Sequence, residues 1–176
     1  MTLRQPFSIV LATLALATAD SAAAQAPSKS AADGPWIGVW RLNPAKTAEA
    51  NGAPPPASEP ATDTIFRMVA VGRDAFKYTM ERVPRGASGP GQVSAELIGR
   101  FDGKDYIEIG NPNADTNRFR ILDSRSYEVI DTKDGVDLIT IRVTVSEDGR
   151  TRTSVAKGKT AAGASVSRTS VYERVP

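Results

Sequence analysis

The chain has 176 residues, 40% hydrophobic and 24% charged, and its 22 basic and 20 acidic side chains leave a formal charge of +2. That balance suits one globular domain with a real core, and it excludes both wholesale disorder and the dense basic footprint of a nucleic-acid binder. The absence of histidine and cysteine excludes Ser-His-Asp and Cys-His nucleophile systems, disulfides, and the usual zinc, haem and iron–sulfur ligations, so no cofactor is expected.

At the N-terminus Arg4 precedes an apolar run from Phe7 to Ala19, and Ala22-Ala23-Ala24 forms an A-x-A cleavage pattern before Gln25. The run is shorter than the about 20 apolar residues a bilayer span requires. Residues 1–24 therefore read as a signal peptide, and the mature chain is expected to be exported, periplasmic or secreted, with no membrane span. An Ala/Ser-rich tether is expected over residues 25–34, and one domain over residues 35–176.

Trp36 to Leu42 predicts a first strand. Asn43 to Asp63 holds five of the twelve prolines. Proline has no amide hydrogen and cannot join a central strand, so residues 43–63 predict a long crossing loop or lid. From there β-rich runs alternate with turn chemistry. The runs are Thr64 to Val71, Phe76 to Val83, Val93 to Phe101, Tyr106 to Ile109, Asn117 to Leu122, Tyr127 to Thr132, Val136 to Ser146, Thr151 to Lys157 and Ser165 to Val175. Asp102-Gly103, Asp134-Gly135 and Asp148-Gly149 tolerate the positive φ of tight hairpins and favour antiparallel reversals. Ile139, Ile141, Val143 and Val145 alternate with Leu138, Thr140, Arg142 and Thr144, as a strand with one dry face requires. No stretch of the mature chain carries a convincing helical period. With no room for helical crossovers the sheet is antiparallel, and closing it removes two long edges. The expected fold is all-β: a single antiparallel meander barrel of about 8–10 strands.

Gly38-Val39-Trp40-Arg41-Leu42 is similar to the G-x-W signature on the first strand of lipocalin-like (calycin) barrels. The resemblance implies that a basic residue on the last strand, here Arg174, packs over the Trp40 ring and closes the barrel bottom with Gly38 and Trp40. The second loop signature of that superfamily, Thr-Asp-Tyr, is missing. The mature chain also resembles a family of small exported bacterial proteins without an assigned activity. That likeness rests on Trp40 to Lys46, Phe101 to Tyr106, Gly110 to Thr116 and Ser170 to Glu173. It implies a fold but no reaction.

Without histidine or cysteine, acid–base chemistry falls to Asp, Glu, Tyr, Lys or Arg. Tyr78, Tyr106 and Tyr127 could present hydroxyls inside the barrel; each is either a satisfied core residue or a ligand-facing donor. Arg120, turned inward, would anchor a carboxylate or phosphate; turned outward between Phe119 and Ile121 it has no such role. Asn111, Asn113, Asp115 and Asn117 offer oxygens at two-residue spacing, but Thr116 and Leu122 stand where a calcium loop needs glycine and glutamate, so no metal is expected. From Ile141 to Pro176 seven basic residues face three acids, which reads as a solvated strand face or an anion-binding surface. Aromatics make up only 6% of the chain, which argues against a deep aromatic-lined pocket.

Three functions are compatible with these residues. In order of preference they are a non-catalytic binding or structural envelope module for a small apolar or anionic ligand, an interaction protein using its basic C-terminal strands, and a nucleophile-free lyase or isomerase. The last would be marked by a carboxylate beside a tyrosine in a cavity, with raised proton affinity.

Overall fold

The computed structural model describes residues 34–58, 60–87, 89 and 91–176. The expected signal peptide, and all of the expected tether except Gly34, lie outside the described residues. Ten strands follow in chain order: β1 (Gly38–Leu42), β2 (Thr62–Val71), β3 (Ala75–Pro84), β4 (Gln92–Arg100), β5 (Asp105–Ile107), β6 (Thr116–Ile121), β7 (Ser126–Lys133), β8 (Val136–Val145), β9 (Thr151–Lys159) and β10 (Ser165–Arg174). Every pairing is antiparallel, and the order β4-β3-β2-β1-β10-β9-β8-β7-β6-β5 is a meander whose first and last strands meet across β1 and β10. The two free edges nearly close the ring. Between β4 and the end of β5 a single bridge joins Glu96 and Ile109 through two backbone hydrogen bonds, of 3.0 and 2.9 Å.

The first strand starts two residues later than expected. Trp36 lies in a turn closed by the Ile37 amide donating to the Gly34 carbonyl at 3.1 Å. The larger departure lies in residues 43–63, where a short helix, α1 (Pro44–Ala50), replaces the first part of the expected loop. Seven residues are too few to show a 3.6-residue period. The start signal is chemical instead: Asn43 caps the helix by accepting from the Lys46 amide at 2.9 Å, and Pro44 sits at the first helical position, where no amide donor is needed.

The helix is held by a gap in the sheet. β1 ends at Leu42, so the β10 backbone beyond it has no strand partner. Thr47 and Asn51, one helical turn apart, supply one: the Val171 amide donates to Thr47 Oγ1 at 3.0 Å, the Thr169 amide to Asn51 Oδ1 at 2.8 Å, and Asn51 Nδ2 donates to the Thr169 carbonyl at 2.7 Å.

Inward-facing residues fill the lower half of the barrel with rings. Trp36, Phe76, Phe101, Phe119 and Tyr127 form a chain of tilted and edge-on contacts with centroids 4.8 to 5.4 Å apart. Below them Trp40 is fully buried, and its indole nitrogen donates to the Trp36 carbonyl at 3.0 Å. The Arg174 guanidinium lies over the Trp40 ring, 4.2 Å from its centroid. It also donates to the carbonyls of Gly149, Ile37 and Pro35 at 2.7, 2.9 and 2.5 Å. This end of the barrel is plugged.

Candidate functional site

Strand parity decides which side chains enter the upper half. Asn117 and Phe119 of β6, Tyr127, Val129 and Asp131 of β7, Arg152 and Ser154 of β9, and Arg168 and Tyr172 of β10 all turn inward. Above the ring-filled floor they leave an interior cavity of about 370 Å³, near the lower end of the range for small-molecule sites. The exposed residues Arg82 and Arg168 line it too, which places its mouth at the upper end. The aromatic residues are few but gathered, so five rings (Phe66, Tyr78, Phe119, Tyr127 and Tyr172) face the cavity despite the low aromatic content.

Toward the floor the cavity carries a positive charge. Arg152 is 5% exposed; its guanidinium carbon lies 4.0 Å from the Phe66 ring centroid and 5.0 Å from that of Tyr172, and Nη2 donates to the Tyr127 hydroxyl at 3.1 Å. Among the described residues no carboxylate forms an ion pair with it, and Arg152 Nε and the hydroxyl of Ser154 on the same face have no hydrogen-bond partner. A guanidinium keeps its charge in any protein, and burying one without a counter-ion costs several kcal/mol.

Higher up, the wall is acidic. The Tyr78 hydroxyl donates to Glu108 Oε1, Asn111 donates to Glu108 Oε2 at 2.9 Å, and Asn117 Nδ2 donates to Asp131 Oδ1 at 2.7 Å. Asn117 Oδ1 is left without a partner. All four of Tyr78, Glu108, Asn117 and Asp131 are buried. Burial pushes the Glu108 carboxyl above its usual range against the pull of its hydrogen bonds, and it raises the Tyr78 phenol well above its ordinary value, with the Glu108 charge adding to the effect. Burial, and then the charge of Glu108, push Asp131 up to about 7, while the Asn117 hydrogen bond and the charge of Arg168 pull it down.

Of the four ligand-facing candidates, the structure brings Tyr78 and Tyr127 together in this cavity. Tyr106 is corrected: its ring packs over Gly99, and its hydroxyl donates to Asp102 Oδ2 at 2.9 Å in the turn below. Arg120 takes the outward alternative, which leaves it no ligand role: Phe119 faces the core, so its neighbour faces solvent and pairs across the ladder with Glu128 at 2.9 Å. Of the Asn/Asp series, Asn111, Asn113 and Asn117 line the cavity, Asn111 donating to Glu108 and Asn117 to Asp131, while Asp115 turns away to pair with Lys133 at 2.6 Å. Sequence reasoning missed Asp131 and Glu108 as site residues; it weighed Asn117 only as a metal ligand and Arg152 only as one of the basic C-terminal residues. The signal for two of them was parity: Asp131 continues the inward series Tyr127-Val129, and Arg152 begins the inward series with Ser154 and Ala156. Of the seven basic residues near the C-terminus, Arg152 and Arg168 line the cavity and Arg174 the floor, so the expected surface is diluted.

A larger groove, about 680 Å³, lies outside the barrel beneath the proline segment. Its charges satisfy one another: Asp63 pairs with Arg41 and Arg85 at 3.5 and 2.9 Å, and Glu81 pairs with Arg67 at 3.4 Å. The interior cavity, with its unpartnered groups, is the stronger site.

The architecture matches solved structures. Wild-type fluorescent protein UnaG superposes with a TM-score of 0.51 at 14% identity, over 80% of this chain and 97% of that one. A point mutant of UnaG gives 0.51 at 13% identity, over 81% and 97%. At such identities the likeness is one of fold: the chain is an antiparallel β-barrel with the same architecture as UnaG. No protein-family model and no curated protein matches it.

Proposed function

We propose that this chain is an exported, non-catalytic barrel that holds one small amphiphile, with an acid group of the ligand on Arg152 and its apolar part among Phe66, Phe119 and Tyr172. The observation that carries the reading is the buried, charge-unpaired Arg152, with its unpartnered Nε and Ser154 beside it. An anion there would receive charge-assisted hydrogen bonds in a desolvated site, the setting in which they are strongest. The exposed Arg82 and Arg168 at the mouth would draw the same charge inward. Export rests on the N-terminal sequence pattern, and fractionation with N-terminal sequencing of the mature chain at Gln25 tests it.

Octanoate is a suitable probe. Calorimetric titration should show saturable binding, weakened at least about tenfold by Arg152→Leu and largely kept by Arg152→Lys, which preserves the charge. Equal affinity in all three proteins would remove the anion site. Mass spectrometry of gently purified native protein should show a co-purifying small acid.

One observation favours the lyase or isomerase reading: Tyr78 stands on Glu108 beside Asp131, a carboxyl poised near neutrality in a cavity. Incubating the co-purified ligand with the protein in D₂O tests it. Deuterium uptake at carbon that is lost in Asp131→Asn would establish proton transfer, and no uptake would leave binding alone.

A further inference from the structure

We infer that the acidic upper wall of the cavity, formed by Asp131, Glu108 and Asn117, is a cation-binding pole, and that the ligand carries an ammonium group as well as an acid, in its simplest form an ω-amino acid. This pole presupposes that the cavity is a ligand site, and it adds the second group that the ligand must present.

The acceptors of the upper wall are unmatched. Ionised carboxylates only accept hydrogen bonds, and each has room for about four donors. Asp131 accepts from the Asn117 amide, and Glu108 accepts from Tyr78 and Asn111, with the Asn117 amide acting on it as a third donor. The Asn117 carbonyl, on a side chain only 2% exposed, accepts from nothing. All these oxygens belong to residues that line the cavity. Among the described residues no lysine or arginine forms an ion pair with Glu108 or Asp131; Arg168 is exposed and acts on Asp131 only through its charge. Burial, and then the charge of Glu108, raise the proton affinity of Asp131 by more than the Asn117 hydrogen bond and the Arg168 charge lower it. A primary ammonium offers three donors and one positive charge, which matches this deficit.

The deficit of Arg152 is the mirror image: a buried donor group without an anion. The two poles are held on one strand. Tyr127, the partner of Arg152, and Asp131 lie four positions apart on β7, a rise of roughly 13 Å at about 3.3 Å per residue. Aromatic walls lie between them, so a short aliphatic or aromatic spacer joining the two charges fits the space.

Calorimetric titration at neutral pH with octanoate and with ω-aminooctanoate, on wild type and Asp131→Asn, tests the inference. The expected result is that wild type binds ω-aminooctanoate about tenfold more tightly than octanoate, and that the advantage vanishes in Asp131→Asn. Octanoate bound as tightly as ω-aminooctanoate by wild type, or an advantage that survives in Asp131→Asn, would overturn the cation pole and leave the anion site standing. Binding of neither probe would overturn the ligand-site reading and this inference with it. Melting curves establish that Asp131→Asn is folded, and Glu108→Gln, carried through the same titrations, should shrink the same advantage independently.

Discussion

Gly38, Trp40 and Arg174 act as one joint. A Cβ on Gly38 would sit 2.3 Å from the Arg174 guanidinium, at a φ of +144° that other residues resist. The guanidinium in turn ties three carbonyls beneath the indole. Trp40→Ala should cost about 3–5 kcal/mol in chemical denaturation, as large aromatic truncations in cores do; a loss below about 1 kcal/mol would remove this joint from the account of stability. Asp131 works in the other direction. Its folded pKa of about 7 lies above the unfolded carboxyl value, so the native state binds a proton more tightly than the unfolded chain. Its contribution is therefore fully present below about pH 4 and is lost as pH rises toward 7. Asp131→Asn should remove that loss and melt higher than wild type at pH 8, with a gain of roughly 2–4 kcal/mol. Melting temperatures measured from pH 5 to 8 that fall equally in both proteins would count against it. The role of Trp40 is legible in the chain, because a G-x-W pattern marks it. The role of Asp131 is not: an aspartate at the end of a strand looks like any solvated turn residue until the neighbouring strands enclose it.

Among the secondary-structure elements, α1 stands in for a missing length of strand. Four hydrogen bonds from three side-chain atoms of Thr47 and Asn51 satisfy β10 backbone that β1 is too short to reach. Replacing both residues with alanine should cost about 1–2 kcal/mol in chemical denaturation, because two strand amides lose their acceptors in a partly exposed setting. The proline segment that follows plays no part in the ladder. Deleting residues 53–58 should leave the circular dichroism spectrum unchanged, and collapse of the β signal would show that the segment braces the barrel. The strands were legible because alternation and Asp-Gly turns are local signals. The helix was not, because seven residues held by a cap and by distant backbone leave almost no periodic trace.

Around the complete barrel, the order of strands closes the ring everywhere except between β4 and β5. There Gly110, at a φ of +92°, lets the chain pass close to the Ser94 carbonyl, where a Cβ would come within 2.7 Å. The exposed Ile98, Ile107 and Ile109 flank this seam. With one bridge instead of a ladder, the seam is the weakest line in the barrel. In hydrogen exchange the Glu96 and Ile109 amides should lose protection well before those of β8, which is laddered on both sides. Equal protection at the two places would mean that the barrel opens elsewhere or only as a unit.

The class of architecture is written in the chain: ten runs with period-two alternation, joined by short turns and lacking helical crossovers, have no better way to bury their dry faces than one antiparallel meander. Most strand limits follow to within a residue or two. The character of the interior is settled only when the strands assemble. Whether Arg152 meets a carboxylate, or Glu108 meets Asp131, depends on strand stagger around the ring and on which faces converge. Those are relations between residues far apart in the chain, and local patterning carries no record of them.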